Sequence, residues 1–162
     1  MSTDLLLRRK WTFRAHGRQV VFVKQPVEHT SHVLMKAFLW ALYLPIYPDL
    51  KVEIRVGDRY KPDVVAPSPD PTAAPLFWGE AGQVSIEKIQ ALARRYPRTH
   101  FAIAKWDTGL HHLRSNVENA LSGRRHLAPF DLLIFPADSA ERFINDDGEI
   151  HLSHDDLVWL RL

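Results

Sequence analysis

Cysteine is absent from the 162 residues, which excludes a disulfide framework, every thiolate metal site and a catalytic thiol. No apolar run of about 18 residues occurs, so no membrane-spanning helix is expected, and the chain opens without a signal-peptide pattern. A soluble, cytoplasmic protein is the resulting expectation, with no membrane partner. Charge of one sign is also scarce: 21 Lys and Arg stand against 19 Asp and Glu, a net charge of +2. Any contact with nucleic acid must therefore be local, since no general positive coat exists. Internal repeats, a phosphate-cradling glycine loop, zinc-ligand spacing and a Ser/His/Asp arrangement are missing too.

What is present is ordinary globular material, with 46% apolar and 25% charged residues. The length suits one domain over residues 1–162, large enough to bury a core. Its most informative stretch is Lys61 to Lys88. Two short apolar runs, Val64-Val65-Ala66 and Leu76-Phe77-Trp78, flank a segment broken by Pro67, Pro69, Pro71 and Pro75. Runs of that length bounded by turn residues read as buried strands joined by a loop. Asp63 stands where the first strand begins and Glu80 where the second ends. If the strands are antiparallel neighbours, both carboxylates lie at one edge of the sheet. Two carboxylates so placed suit Mg²⁺, which takes a few protein oxygens and keeps waters and substrate phosphate.

Around this stretch the periodicity predicts further elements. Residues 4–25 read as a hairpin turning at His16-Gly17-Arg18, with a basic bias from Arg8, Arg9, Lys10, Arg14, Arg18 and Lys24. A core helix follows over VLMKAFLWALYL and ends at Pro45 and Pro48. Glu28, His32 and Lys36 recur every fourth residue and share one stripe of it. His29 and His32 read as surface or capping residues, because no third ligand at metal spacing accompanies them. Residues Asp49 to Val56 alternate as a half-exposed strand, Ile86 to Tyr96 form a second helix, and Thr99 to Trp106 another strand. A loop and helix then run to Gly123, and Ser122 to His126 makes a compact basic patch. Phe130 to Phe135 reads as a strand and Ser139 to Phe143 as one helical turn. Asp147-Gly148 joins two alternating runs, which would extend the sheet or pair with the N-terminal hairpin.

Pro62-Asp63 followed by Glu80-Ala81-Gly82-Gln83 resembles a degenerate PD-(D/E)XK nuclease signature. Trp78 to Gln83, the helix opening at about Ser85, Lys88-Ile89 within it and Glu28 before the first helix are similar to the YaeQ-like branch of that superfamily. The resemblance runs from Glu28 to about Trp106. It implies an α/β, restriction-endonuclease-like core over about residues 27–106. That core is ordered α-β-β-β-α-β, a mixed sheet flanked by helices, with the hairpin 4–25 and strands in 129–162 as additions. The periodicity produces the same order without the motif.

The resemblance further implies that Asp63, Glu80 and the backbone carbonyl of Ala81 hold Mg²⁺ or Mn²⁺, with Glu28 facing the metal from the first helix. The signature lysine two residues after Glu80 is replaced by Gly82. Two substitutes are available, Gln83 beside it and Lys88 reaching back from the following helix. Gln83 can orient a water but can neither carry positive charge nor take a proton. Two functions therefore compete: a metal-dependent nuclease acting on DNA or RNA, and a catalytically silent module binding nucleic acid or a protein partner.

Overall fold

The structure, a computed structural model, describes residues 10–162. A hairpin of β1 (Lys10–Ala15) and β2 (Arg18–Val23) stands apart from a six-stranded sheet. That sheet contains β3 (Lys51–Val52), β4 (Val64–Ala66), β5 (Phe77–Ala81), β6 (His100–Trp106), β7 (Phe130–Phe135) and β8 (Val158–Arg161), neighbouring one another in that order. The helices are α1 (Thr30–Tyr43), α2 (Ile86–Arg95), α3 (Leu110–Leu121) and the single turn α4 (Ser139–Phe143). The β5–β6 and β6–β7 pairs are parallel and the remaining pairs antiparallel, so the sheet is mixed.

The expected α-β-β-β-α-β order is therefore present as α1, β3, β4, β5, α2 and β6. Its two parallel pairs each cross over through a helix, as parallel neighbours require. Those crossovers, α2 and α3, cover one face of the sheet through Ile89, Leu92, Leu113 and Val117 packed on Trp78, Ile103 and Leu132. On the other face α1 meets Phe77, Ala102, Leu133 and Phe135. Every residue of α1 from Val33 to Tyr43 is buried, as befits a span apolar all round except for the ion-paired Lys36. The hairpin closes over it with Trp11, Phe13 and Phe22. All five residues of β5 are buried in consequence, which explains its unbroken apolar reading up to Glu80. Gly79 permits the close approach on the α1 side: a Cβ there would lie 3.2 Å from Phe77 Cε1 and 3.4 Å from Val64 Cβ.

One expectation needs adjustment, one falls partly outside the described residues and one is resolved. The strand predicted over Asp49 to Val56 is only two residues long, because Glu53 adopts the left-handed conformation at φ 54° and ends it. The hairpin's expected first residues, before Lys10, lie outside the described residues. Near the C-terminus both offered pairings occur. β8 extends the sheet antiparallel to β7, and Glu149 bridges to Arg14 of the hairpin. No helix among the described residues is long and apolar enough to cross a membrane.

Candidate active site

β4 and β5 are antiparallel neighbours with Val64 opposite Gly79, so Asp63 and Glu80 do reach the same end of the pair. The ladder stops there, and the Asp63 carboxylate takes over as a partner for the next strand: the Ala81 N–H donates to its Oδ2 at 2.8 Å. Glu80, 6% exposed, projects to the α2 side with Trp78, two residues earlier on the same face. The Trp78 indole N–H donates to Glu80 Oε1 at 2.9 Å. The Lys88 ammonium reaches the same oxygen at 2.8 Å. It also lies 5.2 Å from the centre of the Tyr60 ring. Of the two candidate substitutes for a lysine at position 82, Lys88 is thus the one that meets Glu80. Ser85 makes this possible by capping α2: its hydroxyl accepts the Lys88 N–H at 3.1 Å and sets where the helix starts. Gln83 is exposed and turns instead toward a neighbouring cleft.

From the α1 side the stripe of Glu28, His32 and Lys36 closes on Asp63. His32 Nδ1 is 2.6 Å from Glu28 Oε2, and its Nε2 is 3.6 Å from Asp63 Oδ2. This corrects the reading of His32 as a surface or capping group; His29 holds the N-cap position of α1 without a side-chain capping bond. Lys36 is 3% exposed and pairs with Glu28 at 2.6 Å and with Glu53. Glu28 lies two residues before α1 and also accepts the Gln25 N–H at 3.2 Å. His32, Lys36, Glu53 and Trp78 are the members that sequence reasoning did not assign. The i,i+4 spacing of Glu28, His32 and Lys36 was the local signal for two of them, His32 and Lys36.

The electrostatics set the two central carboxylates apart. Burial raises the Glu80 pKa to about 7, and the nearby Asp63 charge pushes the same way against Lys88 and Trp78. Burial also opposes ionisation of Asp63, but the nearby His32 imidazole and the hydrogen bond from the Ala81 N–H hold its pKa below the ordinary value. Asp63 in turn raises the His32 pKa, over the opposing effect of burial. Burial disfavours the Lys36 ammonium, yet Glu28 and Glu53 keep its pKa raised. Four carboxylates gather here around two ammonium groups and one imidazole, so the cluster carries excess negative charge only once Glu80 has lost its proton.

The donor set suits a hard ion. Among the described residues no group of three or more His, Asp and Glu side chains is arranged to hold a metal ion. Two carboxylates and the Ala81 carbonyl are nevertheless the few oxygen ligands that Mg²⁺ accepts alongside waters and phosphate. The same set offers nothing to favour zinc, which prefers nitrogen and sulfur in a closed tetrahedron.

No family model matches the chain, and no curated protein shows significant similarity to it. Among solved structures, the crystal structure of the YaeQ protein from Pseudomonas syringae is similar at a TM-score of 0.59 and 17% identity. That match covers 81% of this chain and 68% of the other. The YaeQ protein from Xanthomonas axonopodis pv. citri is similar at a TM-score of 0.54 and 13% identity, covering 77% of this chain and 72% of the other. The mixed sheet with helices on both faces is accordingly a YaeQ-like fold.

Proposed function

We propose that the protein is a metal-dependent phosphodiesterase of the PD-(D/E)XK type, acting on DNA or RNA. The observation that carries this reading is the convergence of Asp63 and Glu80 at the end of β5 with the Lys88 ammonium 2.8 Å from Glu80. Mg²⁺ or Mn²⁺ held by Asp63, Glu80 and the Ala81 carbonyl would supply Lewis acidity toward a phosphate oxygen and a water of lowered pKa. The chain's own groups do the rest. Asp63 is kept ionised and oriented by the Ala81 N–H and His32. Glu28 fixes the His32 ring, and Lys36 fixes Glu28 in its turn. Lys88 supplies the positive charge that Gly82 cannot, placed beside Glu80 to hold an anionic oxygen or a water. Glu80 carries a proton up to about pH 7, so cation binding must displace that proton and strengthens as pH rises.

A second reading, a catalytically silent module for nucleic acid or a protein partner, draws on a different observation. Position 82 lacks the lysine, and Lys88 is committed to an ion pair with Glu80. Calorimetric titration with Mn²⁺ and Mg²⁺ of native protein, Asp63→Ala and Glu80→Ala separates the two. The nuclease reading expects binding that both substitutions abolish. It also expects metal-dependent cleavage of DNA or RNA that Lys88→Ala reduces at least tenfold. Metal binding indifferent to both substitutions would overturn it.

A further inference from the structure

The missing lysine position has a second neighbour. β6 runs parallel to β5 with Ala104 opposite Ala81, which puts Lys105 beside Gly82 on the same sheet face as Glu80. Gly82 sits in the left-handed region at φ 86° and gives its N–H to the Ala104 carbonyl at 3.0 Å. Its own carbonyl accepts one proton of the Lys105 ammonium at 2.5 Å. An ammonium has three donors, so two remain free. No carboxylate among the described residues pairs with Lys105, unlike Lys36 and Lys88. Burial alone acts on it, and lowers its pKa. A half-buried cation without a counter-charge is costly, and an anionic ligand beside it would offset that cost.

Lys105 faces a cleft of about 680 Å³ between the β5–α2 and β6–α3 connections. Gln83, Thr108, His112 and Asn116 line it, a set of hydrogen-bonding groups with no carboxylate. Crevices beyond the carboxyl ends of parallel strands are where open α/β sheets place ligands. This one begins three residues after Glu80, on the same connection.

We propose that this cleft is a phosphate-binding subsite, with Lys105 as its fixed cation and Gln83, His112 and Asn116 as hydrogen-bonding partners. It deepens the nuclease reading by assigning a place to a phosphate other than the one attacked. The exposed position of Gln83, away from the Asp63 and Glu80 carboxylates, then has a purpose: it contacts substrate without serving the water. The phosphate could belong to a nucleic-acid chain or be free, and the recognition chemistry is the same.

Titration of inorganic phosphate into metal-free protein in chelator, followed by NMR of the His112 imidazole and the Gln83 and Asn116 side-chain amides, tests this. Saturable shifts are expected, with affinity reduced at least tenfold in Lys105→Met and retained in Lys105→Arg, which also controls for folding. Absence of shifts, affinity unchanged in Lys105→Met, or acetate binding as tightly as phosphate would overturn the subsite. A second arm adds a 5′-phosphorylated oligonucleotide. Displacement of phosphate supports the subsite with a nucleic-acid chain as its source, and independent binding of the two supports it with a small phosphate. The measurement uses neither metal nor hydrolysis. Phosphate binding without cleavage would therefore sink only the nuclease reading, and cleavage without phosphate binding only this one.

Discussion

Glu80 and Asp131 are both buried carboxylates, one residue apart in sheet register, yet they are in opposite condition. Asp131 pairs with Ala102, which pairs with Gly79, so Asp131 faces α1 and the next residue level, bearing Glu80, faces α2. Asp131, with no exposed surface, receives Arg161 through Nε at 2.7 Å and Nη2 at 3.0 Å, and the Tyr43 hydroxyl at 2.6 Å. His100 Nε2 lies 2.7 Å away, and its other nitrogen meets the Tyr47 hydroxyl at 2.9 Å. Burial works against its ionisation, but His100, Arg161 and Tyr43 overwhelm that and hold the carboxyl far below its usual range. Glu80 has two donors on one oxygen and a negative neighbour, and its pKa rises to about 7. The first group is complete as it stands. The second has one ammonium and one indole against burial and a negative neighbour, so its charge is incompletely compensated, a condition that clusters at functional sites.

The largest expected effect tests the complete network. Asp131→Ala leaves Arg161, Tyr43 and His100 without their acceptor and should cost about 3–5 kcal/mol, read as a lower urea midpoint. The sign with pH follows from the depressed pKa. The contribution is whole above the unfolded value near 3.8 and is lost as pH falls from there through the native value, so the gap between native and variant narrows in acid.

Glu80→Gln should act in the opposite sense. Between about 4.5 and 7 the native state holds a proton that the unfolded chain has released, so stability falls as pH rises across that window. In metal-free buffer at pH 8 the variant should be more stable than native by on the order of 3 kcal/mol, and the difference should vanish near pH 4. A variant destabilised at every pH would place Glu80 in the same category as Asp131. Lys88→Met removes a nearby positive charge and should raise the Glu80 midpoint further, by about 1 unit, in the same stability-against-pH measurement. Smallest of all, Ser85→Ala removes the α2 cap and should cost about 1 kcal/mol in thermal or urea unfolding, with Lys88 less firmly placed.

The element order was legible because periods of 2 and 3.6 are local, and because Pro45, Pro48 and Pro97 mark where elements end. Asp63 and Glu80 could be brought together only on the condition that the two short apolar runs are antiparallel neighbours, which the β4–β5 register meets. His32 could not be read the same way. On its own helix it resembles any polar residue one turn after an acid, and the contact that changes its role comes from Asp63, 31 residues later. Glu53 was hidden by its alternating context: nothing in LKVEIRV announces a left-handed residue, and the ion pair with buried Lys36 is tertiary. Lys105 closes an apolar strand and looks like an ordinary strand-end charge until the parallel register sets it beside Gly82.

The brevity of the outer strands has a consequence for solubility. The six-stranded sheet is bounded by β3, two residues long and stopped by a left-handed glutamate, and by β8, four residues long and carrying Arg161. Unpaired strand edges are templates on which a second copy can add by backbone hydrogen bonding. A two-residue edge offers too few such bonds to hold one. The buried inner strands are thereby shielded from recruiting a neighbour through the β3 side of the sheet.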